Sequence, residues 1–125
     1  MADVVVRRHQ DREELLALAR SYVGRLKARL SVVAAAVVGS VARGDFNVWS
    51  DVDVVVVAEE LPERAPERAA LLLADAPGRV QPVGFTPGEF RRAWRRGNPL
   101  ARAVATEGVV LLGEGFFAEA AGQEA

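Results

Sequence analysis

Gly39-Ser40, ten intervening residues and then Asp51-Val52-Asp53 are the residues of this sequence whose types and spacing best suit chemistry. Residues two apart on a strand project from one face, so this spacing aims the carboxylates of Asp51 and Asp53 at a common point. The run that follows, through Ala58, is otherwise apolar. Anionic oxygens left unpaired at the mouth of such a strand are costly, and a divalent cation would resolve the cost. Mg²⁺ suits the pair, because it is hard, prefers oxygen and is usually held by one or two carboxylates together with substrate phosphates and water. Gly39 has no Cβ and lets another group approach the backbone. Ser40 adds a hydroxyl, and a helical turn starting there would aim free N–H groups at a phosphate, with Arg43 as an added cation. A phosphate cradle of Gly39, Ser40 and Arg43 beside a metal held by Asp51 and Asp53 is equipment for phosphoryl or nucleotidyl transfer.

The elements that must position these residues lie on either side of them. Val32 to Val38 is an apolar run stopped by Gly39, and Val52 to Ala58 is a second one broken only by Asp53. Both read as buried strands. Ahead of them Leu15, Leu18, Tyr22, Leu26 and Leu30 recur at three- and four-residue steps, which predicts an amphipathic helix. Asp11 and Glu14 offer it a capping arrangement, so it is expected to start near residue 11. Downstream, Pro62 and Pro66 introduce a helix over about 67–76 that Pro77-Gly78 ends. Val80 to Phe85 predicts a third strand, placed at an edge or a bulge by Pro82. Thr86-Pro87-Gly88-Glu89 forms a capping box that opens a helix to about Arg96, which Gly97-Asn98-Pro99 breaks. A short helix near 100–106 and a last strand from Val109 to Leu112 complete the order αββαβααβ. That order predicts a small α/β domain, a mixed sheet with flanking helices, with its core over about residues 11–113. The tail over 114–125, rich in Ala, Gly and Glu, is expected to fray, although Phe116 and Phe117 are available to dock.

Composition narrows the function classes. A chain of 125 residues supports one core, so one domain is expected over 1–125. A net charge of −1 and a pI near 5.9 argue against coating nucleic acid or anionic membrane. Arg91, Arg92, Arg95 and Arg96 around Trp94 invite a nucleic-acid reading. On a helix, however, Phe90 and Trp94 share a face that turns to the core and leaves the arginines solvated. With no cysteine, disulfides, thiolate zinc sites and cysteine nucleophiles are excluded. His9 is the lone histidine, expected at the surface ahead of the first helix, where it cannot furnish a Ser-His-Asp triad. No secretion signal or membrane-spanning run is evident, and the cytoplasm is the expected compartment.

Gly39-Ser40, ten residues and Asp51-x-Asp53 together resemble the signature of the DNA polymerase β nucleotidyltransferase superfamily, in its minimal stand-alone branch. The stretch GSVARGDFNVWSDVDVVVV is similar to that branch throughout, and the element order agrees over about residues 32–112. The resemblance implies transfer of a nucleoside monophosphate from an NTP, with ATP the expected donor, to a hydroxyl, the two aspartates holding Mg²⁺. It also implies a third carboxylate on a later strand. There this chain reads Arg79-Val80-Gln81-Pro82-Val83, and the amide of Gln81 cannot act as a base. Glu89 or Asp75 from another element, or a partner, would then supply the acid; otherwise turnover is diminished. Members of this branch are commonly encoded beside a small helical HEPN-domain partner, and some act as antitoxins by adenylylating a tyrosine on it. Two expectations follow: a Mg²⁺-dependent transferase acting on such a hydroxyl, or a degenerate module that neutralises a partner by binding alone.

Overall fold

Strands with no polar face need cover on both sides, and the chain supplies it from both of its ends. A computed structural model describes residues 2–122. In chain order the elements are α1 (Ala2–Lys27), β1 (Val32–Val38), α2 (Gly39–Arg43), β2 (Val52–Ala58), α3 (Ala65–Leu73), β3 (Val80–Phe85), α4 (Pro87–Arg95), α5 (Pro99–Thr106), β4 (Val109–Leu112) and α6 (Glu114–Gly122). The four strands form one sheet in the order β3-β2-β1-β4. β1 runs antiparallel to β2 and β4, whereas β2 and β3 are parallel. β3 is therefore an edge strand, where the missing N–H of Pro82 is tolerated.

Alternation along the strands builds two cores. Ala35 and Val37 of β1 with Val52, Val54 and Val56 of β2 pack under α1, α2 and Leu72 of α3. Ala34, Ala36 and Val38 with Val55 and Val57 face the other way, onto Phe90 and Trp94 of α4, Ala101 and Val104 of α5, and Phe117 and Ala120 of α6. Asp53 shares the parity of Val55 and Val57, so it emerges on the second of these faces, at its open end.

Three expectations change. α1 does not begin near residue 11 but at Ala2, and Asp11 and His9 lie within it, both exposed. No Gly or Pro interrupts residues 2–10, and the early turns have a job: Arg8 donates to the Phe46 carbonyl, and Arg12 donates from Nε to Val41 O at 2.9 Å and from Nη2 to Ala42 O at 2.7 Å. The helical turn expected to start at Ser40 starts one residue earlier, at Gly39, with Val38 at the cap position and no side-chain bond there, so Ser40 lies inside the turn. Residues Glu114–Gly122, read from composition as a fraying tail, form α6 with Phe117 and Ala120 buried; residues 123–125 lie outside the described residues. The capping box is present as read: Thr86 accepts from the Glu89 N–H while the Glu89 carboxylate accepts from the Thr86 N–H. Among the described residues no helix is long and apolar enough to cross a membrane.

Candidate active site

The GS and DxD segments meet because β1 and β2 are antiparallel and paired to their ends. Val38, the last residue of β1, lies opposite Asp53. The ten residues between the two halves of the motif are what the chain needs to turn through α2 and a loop and come back. Gly39 leaves β1 with φ +79°, a conformation L side chains rarely adopt, and a Cβ added there would stand 2.5 Å from Asp53 Oδ2. Glycine is required on both counts. The group that approaches the bare Cα is thus the carboxylate of Asp53 itself.

Asp51 is held by its surroundings. The preceding loop is pinned by Asn47, whose Oδ1 accepts from the Trp49 N–H at 2.8 Å while its own N–H donates to Ser50 Oγ at 2.9 Å. Arg79 donates from Nη2 to Ser50 O at 2.6 Å, and the Val52 N–H donates to Arg79 O at 2.7 Å. Asp51 sits between two clamped residues, just ahead of β2, and is exposed. Trp49, at 86 % exposure, and Val48 project from the same loop into solvent.

The two carboxylates feel each other. Burial, and then the charge of Asp51, push the Asp53 carboxyl above its ordinary value, with Arg43 opposing. Among the described residues neither acid accepts a hydrogen bond. With Asp53 half-buried, Asp51 exposed beside it, and both like-charged and without donors, this pair is the environment a hard cation relieves, and one or two carboxylates are what Mg²⁺ usually takes from protein. Among the described residues no group of three or more acids and histidines gathers at one point.

Ser40 is half-buried, and its hydroxyl bonds to no described residue. Arg43 is exposed; it donates from Nε to Asp45 Oδ2 at 3.1 Å and from Nη1 to Glu107 Oε2 at 3.0 Å. That same Glu107 oxygen accepts from the Gly39 N–H at 2.7 Å. Glu107 is the site neighbour that sequence reasoning missed. It arrives through the antiparallel pairing of Val109 with Val37, 68 residues from Gly39, and no local pattern marks it.

On the other flank Gln81 lies in register with Asp53 across the parallel β2–β3 ladder. Register neighbours project to the same face, so the amide stands beside Asp53. The two alternative acids are engaged elsewhere. Asp75 pairs with Arg29 at 2.6 Å. Glu89 binds Arg68 beyond the other end of β3. Phe90 and Trp94 are buried, while Arg92, Arg95 and Arg96 are exposed and Arg91 is paired with Glu119.

Residues 19–97 match the family model described as nucleotidyltransferase domain. No curated protein matches the chain. Among solved structures, a candidate nucleotidyltransferase from Sulfolobus solfataricus is 21 % identical, with 82 % of this chain and 84 % of that one covered and a TM-score of 0.63. A toxin-antitoxin structure with AMP-PNP is 22 % identical, with 83 % and 85 % covered and a TM-score of 0.55. At these identities the two structures establish a shared fold. The family match spans more than half of the chain, including the Gly39 bend and both aspartates, and so this protein belongs to the nucleotidyltransferase domain family.

Proposed function

We propose that the protein transfers a nucleoside monophosphate from an NTP, ATP being the expected donor, to a hydroxyl on a protein partner. The observation that carries this reading is the Asp53 carboxylate, half-buried and without a donor, lying against Gly39 with the charge of Asp51 beside it. Asp51 and Asp53 would hold Mg²⁺, which when bound supplies charge neutralisation for the triphosphate oxygens. Gly39, Ser40 and Arg43 bind phosphate: the Ser40 hydroxyl is free to donate, and the Arg43 guanidinium pairs with anionic oxygens. In the reaction the acceptor oxygen forms a bond to the α-phosphorus, and the bond from that phosphorus to the bridging oxygen breaks. Pyrophosphate leaves with the electron pair, and the hydroxyl proton passes to water, since Gln81 offers no basic oxygen. This chemistry belongs in the cytoplasm, where NTP and Mg²⁺ occur together.

The likeness in fold to a toxin-antitoxin structure holding AMP-PNP supports both a nucleotide ligand and a protein partner. A HEPN-type partner of the kind implied by the resemblance would supply the acceptor hydroxyl, and the protein would act as its antitoxin. The register of Gln81 beside Asp53 favours a second reading, in which the domain binds nucleotide and silences its partner by binding alone. Incubating the protein and its genomic neighbour with each NTP and Mg²⁺, then weighing both by intact mass spectrometry, separates the two. One added nucleoside monophosphate on the neighbour establishes transfer. An unmodified neighbour that nonetheless forms a stable complex, and gains mass once Gln81→Asp restores a carboxylate, establishes the degenerate reading.

A further inference from the structure

Glu107 has no part in the reaction as proposed, yet it occupies the groups that reaction needs. Directly following α5, it puts a carboxylate at the negative end of a helix dipole, where an acid is disfavoured. Its position is nonetheless fixed. A Cβ on the next residue, Gly108, would stand 2.5 Å from the Val104 carbonyl oxygen, and Val109 pairs at once with Val37 of β1. The chain therefore turns sharply and delivers Glu107 to the end of β1. There a single oxygen, Oε2, accepts from the Gly39 N–H at 2.7 Å and from Arg43 Nη1 at 3.0 Å. A backbone amide and a guanidinium converging on one anionic oxygen form the donor set that phosphate oxygens also use. The Glu107 side chain keeps 23 % of its surface in water, so a path outward is open to it.

We infer that Glu107 is a resident anion of the phosphate site, holding the Gly39 N–H and Arg43 in the nucleotide-free protein and giving way to a phosphate oxygen when the NTP binds. Affinity for the triphosphate is then the difference between two anions competing for the same donors. The inference rests on the reading of Gly39 and Arg43 as phosphate ligands, and it adds a residue that determines how tightly they bind.

The test is calorimetric titration of the wild type, Glu107→Gln and Glu107→Ala, first with inorganic triphosphate in the absence of metal and then with ATP and Mg²⁺. Gln keeps the shape and loses the charge, and Ala removes both. Both variants are expected to bind inorganic triphosphate about tenfold more tightly, equivalent to about 1.4 kcal/mol, and adding Arg43→Ala should erase the gain. Unchanged, weaker or absent triphosphate binding in both variants overturns the inference, because Glu107 would then only hold Arg43 in place. The ATP arm reports on the underlying reading separately: tighter triphosphate binding with no Mg²⁺-dependent ATP binding keeps the anion exchange and sinks the nucleotide site.

Discussion

Two acids at opposite ends of the β2–β3 pair have opposite surroundings. Glu89, just past the end of β3, accepts from Arg68 Nη1 at 2.7 Å and from the Thr86 N–H at 2.8 Å, and Arg68 holds its carboxyl below the ordinary value. Asp53, at the start of β2, accepts from no described residue and is pushed above its ordinary value by burial. One carboxylate is satisfied by the fold, and the other is left to be satisfied by something else. Perturbation without a partner, at the rim of a sheet, is what supports the proposed reading of Asp53 as a metal ligand.

The contrast breaks most severely if the Asp51 and Asp53 charges are removed. The double variant Asp51→Asn, Asp53→Asn should lose Mg²⁺-dependent ATP binding by at least about 10²-fold, the upper end of what losing a single outer-shell partner of a metal ligand costs, read by calorimetry with and without the metal. Its melting temperature should be no lower than that of the wild type, because no hydrogen bond is lost. Metal-dependent binding at wild-type strength would refute the assignment. At the other end Glu89→Ala removes both the capping-box acceptor and the partner of Arg68, and should cost about 1–2 kcal/mol in a denaturant titration with ATP binding intact.

The same pair predicts pH dependences of opposite sign. Glu89, lowered from 4.5, contributes stability that is present above that value and is lost as pH falls through its folded value. Asp53, raised from 3.8, contributes stability present below that value and lost as pH rises through its folded value. Asp53→Asn should therefore melt above the wild type at neutral pH and lose this advantage in acid, whereas the deficit of Glu89→Ala should shrink in acid. Thermal melts from pH 3 to pH 7 distinguish these; parallel curves would show that neither carboxylate is perturbed.

The smallest effect is expected remote from both ends. The buried Tyr22 hydroxyl donates at 2.8 Å to the Leu72 carbonyl in the last turn of α3, and Tyr22→Phe should cost about 1 kcal/mol without touching nucleotide binding. Burial pushes the Tyr22 phenol up to about 12 from 10.0, so its contribution should be lost as pH rises through that interval.

The sheet was legible because its strands are short, covered on both faces and punctuated. The runs ending at Val38 and Ala58, the edge placement of Pro82 and the capping box at Thr86 all announce themselves within a few residues. The fixed spacing from Gly39 to Asp53 likewise told that the two segments meet, although not that the aspartate itself would fill the space over the glycine. What stayed hidden depends on distant pairing. Glu107 reaches Gly39 only because β4 lies beside β1, and the early turns of α1 are held by carbonyls at Val41, Ala42 and Phe46 that no local periodicity reveals. α6 was masked by an Ala-, Gly- and Glu-rich composition, and its order comes from Phe117 seating against Phe90 with ring centroids 5.3 Å apart.

The loop that carries Trp49 next to Asp51 also has an optical consequence. The protein has two indoles: Trp94 is buried, with the Arg102 guanidinium 4.1 Å from its ring centroid, whereas Trp49 stands almost wholly in water. Collisional quenchers such as iodide therefore reach one emitter and not the other. A macromolecule settling over the aspartates shields the reachable one, which makes the chain's own fluorescence a label-free gauge of whether that rim is covered.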